Sequence, residues 1–285
     1  MKKIKFILLL TIIFSLTGCF NDDSMESIEI STSVYPIEFV VNELYGEHAK
    51  IYSIYPNDEE IVDFEVTDTL LDQYSNSDLF IFNGLSDESN YVKTMLKNNK
   101  DLKIIDVSSN MQVNYSMEEI WLDPNNLLTI ANNIKKGFEE YISSSYLVKN
   151  IDELYEELKI NLTALDGKYY KTVKNSSNKT IIVNDNAFMY LKKYGLEVIS
   201  LDPETVTQKE IVRALELLRN GTCNYVFINH GQTKDNIVDD IKSGAEFTTA
   251  ELFTMTNLSN VDTLKNDYIA LMNQNLEALK LELYK

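Results

Sequence analysis

Carboxylates supply most of the side chains with which this sequence could bind a ligand, because the chain has only 2 histidines and 2 cysteines. Glu119 lies two residues before Trp121, the only tryptophan, in the stretch EEIWLDP. Asp185 follows the apolar run TIIV. Carboxylate oxygens bind hard cations such as Mn²⁺, whereas zinc sites normally use imidazole or thiolate. Either the carboxylates of EEIWLDP are ordinary loop charges, or one of them occupies a position where a ligand is bound.

Enzymatic chemistry has little support in the sequence. It contains no P-loop, no HExxH motif and no serine or cysteine paired with a histidine in a recognisable catalytic pattern. Cys223 lies in an apolar, strand-like run and is predicted to be a buried structural thiol. The formal net charge of −18 repels nucleic acid and anionic lipid headgroups. The sequence therefore favours a binding protein that is not an enzyme and has no nucleic-acid partner.

The N-terminus has the pattern of a bacterial lipoprotein signal. Three lysines precede an apolar run from Phe6 to Leu16, which is shorter than the roughly 20 residues needed to span a bilayer. The sequence LTGC that follows resembles a lipobox, whose cysteine is diacylated. We therefore predict a signal peptide over 1–18, a tether over 19–27, and a protein that Cys19 anchors to the outer face of the cytoplasmic membrane.

Strand-like and helix-like segments alternate along the rest of the chain, which is typical of parallel sheets in an α/β fold. Apolar residues from Ile151 to Tyr169 recur at spacings of 3 and 4, which predicts one long helix. We expect two αβ lobes with parallel sheets, joined by this long rigid spine helix, with a ligand cleft between the lobes. The predicted N-terminal lobe is 28–145, the spine helix 146–175 and the C-terminal lobe 176–285. The predicted strands are 28–36, 49–56, 78–84, 102–108, 180–183, 196–201 and 224–229.

Ligands of open parallel sheets bind beyond the carboxyl ends of the strands. This rule selects three loops, 57–65, 184–186 and 229–231. The first is rich in acids, which in a loop are more often solvated than liganding. For Asp185, capping the next helix competes evenly with binding a ligand.

Several motifs, taken in order, carry a family resemblance. They are the lipobox, the long helix, DFEVTDTLLDQYSNSDLFIFNG, WLDP, NDNAFMYLKKYGL and DYIALMNQNLEAL. From about residue 28 to the end, the chain resembles the substrate-binding lipoproteins of zinc and manganese ABC transporters. The resemblance implies one metal ion in the cleft, an ABC permease as partner and a monomeric protein.

The resemblance also implies which residues occupy the family's metal-ligand positions, and here the sequence departs from the family. Val62 and Glu119 stand where the family has histidines, and Asp185 stands at the third ligand position. The fourth position falls on Met255, with Glu251 as the alternative register. Residues that could assist the site are Asp63, Glu65, His230 and Glu251.

Two functions remain open at this stage. The chain is either the solute-binding lipoprotein of a metal-ion importer, with a degraded, carboxylate-based site for manganese or zinc, or a vestigial family member. In the second case it binds no metal and acts as a scaffold or adhesin-like surface lipoprotein.

Overall fold

The structure is a computed structural model that describes residues 25–57, 64–114, 119–232, 235–256 and 258–285. The strands are β1 Ile28–Thr32, β2 Ala49–Ser53, β3 Leu79–Phe82, β4 Lys103–Asp106, β5 Thr180–Val183, β6 Glu197–Ser200, β7 Tyr225–Asn229 and β8 Thr248–Leu252. The α-helices are α1 Tyr35–Tyr45, α2 Asp68–Tyr74, α3 Ser89–Asn98, α4 Pro124–Tyr141, α5 Ser145–Lys174, α6 Gln208–Arg219, α7 Asn236–Lys242, α8 Asn260–Lys265 and α9 Tyr268–Leu283. Two 3-10 helices span Ile120–Leu122 and Asn186–Tyr194.

The strands form two parallel sheets with the same topology. The first has the order β2-β1-β3-β4 and the second the order β6-β5-β7-β8. In each sheet the strand order reverses between the two central strands, β1 and β3 or β5 and β7, which is where open α/β sheets form a binding crevice. The predicted fold class is therefore confirmed.

Local sequence explains the main helix boundaries. Asp123 caps α4 by accepting a hydrogen bond from Asn125 N, and Pro124 fixes the first helical residue. Thr207 and Glu210 form the capping box of α6 that their spacing, T-x-x-E, predicts. Helix α5 has 30 residues, about 45 Å at 1.5 Å per residue, and packs against α1, α4 and α9.

Two parts of the C-terminal lobe differ from the sequence prediction. Strand β8, at the edge of the second sheet, was not predicted, because Thr248–Leu252 alternates small, polar and charged residues. The apolar residues from Leu264 to Leu283 predict one terminal helix, but α8 ends at Lys265 and α9 begins only at Tyr268, because Asp267 caps it by accepting a hydrogen bond from Ala270 N. Most predicted strands were also too long. In the first, Pro36 in the first turn of α1 ends the extended segment early.

Among the described residues, no helix is both long enough and apolar enough to be a membrane span.

Candidate functional site

Glu119 lies at the junction of the two lobes and is held by both. Its Oε2 accepts a hydrogen bond from Trp121 Nε1 at 2.7 Å, within the N-terminal lobe. Its Oε1 accepts one from Thr256 Oγ1 at 2.5 Å, and Thr256 belongs to the C-terminal lobe, just beyond β8. Trp121 is itself fixed from the C-terminal lobe, because Tyr268 Oη donates to its carbonyl oxygen at 2.6 Å. Glu119 is therefore a half-buried carboxylate that already bridges the lobes.

Asp185 lies at the switch point of the second sheet, between the ends of β5 and β7. Its Oδ1 accepts a hydrogen bond from Ala187 N at 2.7 Å, so it caps the 3-10 helix Asn186–Tyr194. Its Oδ2 accepts one from Asn229 Nδ2, also at 2.7 Å. Asn229 Oδ1 is buried and has no hydrogen-bond partner in the structure. Asp185 therefore has the first of its two predicted roles, the helix cap, and its role as a ligand stays a prediction.

Glu119 and Asp185 precede two 3-10 helices that contact each other across the lobe junction. Each carboxylate has its own hydrogen-bond partners: Trp121 and Thr256 for Glu119, and Ala187 and Asn229 for Asp185. Within the described ranges, no group of three or more His, Cys, Asp or Glu side chains is arranged to hold a metal ion.

The structure describes only some of the remaining predicted positions. Cys19, Val62 and Asp63 lie outside the described residues. Glu65 is exposed. Met255 is fully buried, with a left-handed backbone at φ 73°. It borders an interlobe cavity of about 10 Å³, which has room for about one water. The cavity is lined by Val34, Tyr35, Ser53, Tyr55, Pro56, Asn57, Met255, Thr256 and Leu258.

His230 and Glu251 pair with each other rather than with the two carboxylates above. His230 Nδ1 lies 2.7 Å from Glu251 Oε2, and its Nε2 lies 3.5 Å from Asp262 Oδ2. The imidazole also packs on the Phe253 ring, with 4.1 Å between centroids. Burial would raise the pKa of Asp262, but hydrogen bonds from Ser259 and the nearby His230 outweigh it, so the pKa is lowered.

Asp262 was missed by sequence reasoning. The spacing of Ser259 and Asp262 is that of a capping box, and it could have revealed the short helix α8.

A cluster of charged side chains, linked by ion pairs, joins the two lobes to the spine helix. Lys193 Nζ lies 2.6 Å from Asp123 Oδ1 in the N-terminal lobe and 2.7 Å from Asp166 Oδ1 on α5. Tyr194 Oη also donates to Asp166 Oδ1, at 2.8 Å. These contacts hold the 3-10 helix that Asp185 caps against the rest of the molecule.

Comparison with known proteins places these features in a family context. Residues 30–281 match the family model described as zinc-uptake complex component A, periplasmic (ZnuA). The manganese-binding lipoprotein MntA of Halalkalibacterium halodurans is 24% identical over 255 residues, covering 80% of this chain and 81% of that protein.

Two solved structures share the fold. The Zn(II)-bound ZnuA-like domain of Streptococcus pneumoniae AdcA superposes with a TM-score of 0.75 at 18% identity, over 91% of this chain and 100% of that one. The laminin-binding protein Lbp of Streptococcus pyogenes gives a TM-score of 0.73 at 17% identity, over 90% of this chain and 99% of that one.

Proposed function

The chain belongs to the ZnuA family of periplasmic zinc-uptake components, and from that premise we propose that it is the solute-binding lipoprotein of a metal-ion ABC importer. Membership confirms the predicted resemblance, and with it the prediction that the chain is not an enzyme. In the proposal, Cys19 anchors the chain outside the cytoplasmic membrane as a monomer, and an ABC permease is its partner.

The proposed cargo is a divalent cation held by oxygen atoms at the lobe junction. Glu119 and Asp185 supply carboxylates, and the buried Asn229 Oδ1 beside Asp185 lacks a hydrogen-bond donor. Buried polar atoms without a hydrogen-bond partner are rare, so the unpartnered amide oxygen of Asn229 is the observation that best supports a bound cation. An all-oxygen set suits manganese better than zinc. With Met255 buried and apolar, the site has fewer ligands than the family pattern implies, so we expect weak binding.

The alternative is a vestigial protein that acts as a scaffold or adhesin-like lipoprotein without a metal. One observation favours it: each oxygen of Glu119 already accepts a hydrogen bond, and the bond from Thr256 joins the lobes without an ion. One solved structure with a similar fold is named a laminin-binding protein, which is a name of the adhesin type.

Trp121 provides a direct test, because the only tryptophan of the chain donates its indole N–H to Glu119. The purified chain would be stripped with EDTA and titrated with Mn²⁺, Zn²⁺ and Ca²⁺, with tryptophan fluorescence recorded at each step. We expect a saturable change with Mn²⁺, weaker in Glu119→Gln and Asp185→Asn. Saturation at 100 times Kd should also add about 2.7 kcal/mol to the free energy of unfolding.

Glu153→Gln is the matched control, since this carboxylate is 65% exposed on the spine helix. The Glu153→Gln variant should bind each ion with the same affinity as the unmodified chain. If no ion changes either the fluorescence or the melting temperature, the transport proposal is wrong and the scaffold function takes its place.

A further inference from the structure

We propose that the groove between α1 and α8 is the surface on which the permease docks, through a permease segment that is basic and carries an apolar side chain. This inference rests on the proposed transport function. It assigns that function a partner surface distinct from the metal ligands.

Helix α8 is placed on the surface without contributing to the core. None of its residues is buried, and its apolar side chains Val261 and Leu264 are 56% and 85% exposed. They are three residues apart and therefore lie on the same face of the helix. The helix is nevertheless firmly held by its capping box and by hydrogen bonds from Asn57 Nδ2 to Asn260 Oδ1 and Thr263 Oγ1. Core packing therefore does not explain why two apolar side chains are displayed here.

Beside α8 lies an open groove of about 470 Å³. Tyr35, Glu38 and Phe39 of α1 form one wall, and Leu264 and Asp267 of the C-terminal lobe form part of the other. A partner that enters the groove therefore contacts both lobes at once. Such a surface suits a permease that must recognise the arrangement of the two lobes.

The charges around the groove select a basic partner. Burial raises the pKa of Glu38, and burial together with Asp267 and Glu157 raises the pKa of Glu43. Burial also raises the pKa of the Tyr35 hydroxyl on the α1 wall, and the charges of Asp267, Glu38 and Glu43 raise it further, so negative charge gathers around this wall. Among the described residues that line the groove, Lys265 is the only cation. Lysine or arginine side chains of a partner would relieve this repulsion, while an apolar side chain beside them covers Leu264.

The test measures manganese and zinc uptake in cells that produce the full chain or its variants. The docking variants are Leu264→Ser and the double variant Glu38→Gln with Glu43→Gln. The matched controls are Tyr146→Ser, which removes a side chain 71% exposed on the spine helix, and Glu153→Gln. Ion binding is measured separately on each purified full chain by Trp121 fluorescence. We expect the docking variants to lower uptake about tenfold, the loss typical of a strong interface residue, with ion binding and both controls unchanged.

Three other outcomes would overturn the inference. Uptake equal to that of the unmodified chain would show that the groove does not dock the permease. A parallel loss of ion binding would show that the substitutions act on the metal site. If deleting the whole chain leaves uptake unchanged, the transport function itself is wrong and the docking surface fails with it.

Discussion

Replacing Lys193 with methionine should weaken the junction between the lobes and the spine helix. Lys193 makes ion pairs of 2.6 and 2.7 Å with Asp123 and Asp166, and the three side chains are 25%, 11% and 24% exposed. Methionine keeps the length of the side chain but leaves two carboxylates without their cation. Asp123 keeps its bond from Asn125 N and Asp166 keeps its bond from Tyr194 Oη, which limits the loss.

The expected magnitude lies between two limits. Breaking a buried ion pair costs about 3–5 kcal/mol, and an exposed pair is worth about 0–1 kcal/mol. The partial exposure of this cluster and the bonds that survive place the loss at about 2 kcal/mol. For a chain of this size that lowers the melting temperature by about 4–8 °C.

Lys149→Met is the control, because Lys149 pairs with Glu153 at 3.1 Å with both side chains largely exposed, 76% and 65%. Both variants change the net charge equally, so a general charge effect cancels between them. Thermal unfolding would be followed in low salt and in about 1 M salt, where the Debye length is about 3 Å. The lower melting temperature of Lys193→Met should persist in high salt. Melting temperatures that agree between the two variants would refute this account of the junction.

Two further predictions concern titratable groups whose pKa is raised by burial. Because burial raises the pKa of Glu38 above its ordinary 4.5, the ionised carboxylate opposes folding at neutral pH. Glu38→Gln should therefore raise the melting temperature at pH 7, and the gain should vanish as the pH falls below 4.5; an equal gain at both pH values would contradict this. Burial also raises the pKa of the fully buried Cys223 to about 12, so its thiol should resist alkylation at about pH 8 until urea unfolds the chain. Alkylation of Cys223 would be measured by mass spectrometry, and fast alkylation in the folded protein would contradict that prediction.

The fold could be predicted wherever its signals are local. Apolar periodicity marked the long helix, and Asp123 and Thr207, which cap α4 and α6, are residue types favoured at helix N-termini. Strand β8 was missed because an edge strand needs few apolar residues. Its pairing with β7 also cannot be predicted from the residues of β8 alone. The break between α8 and α9 was missed because apolar residues continue through it, although Ser259 and Asp267 were available as caps.

The candidate site could be predicted only in part, because its two halves are distant in sequence. Strand ends selected the loops that carry Asp185 and His230. The bond between Glu119 and Thr256 joins residues 137 positions apart, and no local pattern marks Thr256 as a partner. The same holds for His230, directly after β7, and Asp262 on α8, because no local pattern marks either as the partner of the other.

If position 119 is a metal-ligand position, as the family resemblance implies, the contacts of Glu119 give the exchange of histidine for glutamate a physical meaning. A neutral imidazole has one acceptor nitrogen, whereas an ionised carboxylate has two oxygens that both accept. Glu119 uses one oxygen for Trp121 in its own lobe and the other for Thr256 in the opposite lobe. A histidine, which the family resemblance implies here, could accept only one of these bonds and would need a metal ion to reach across. In the proposed importer, Glu119 therefore makes directly a connection that the ion would otherwise make, which is why we expect weak ion binding.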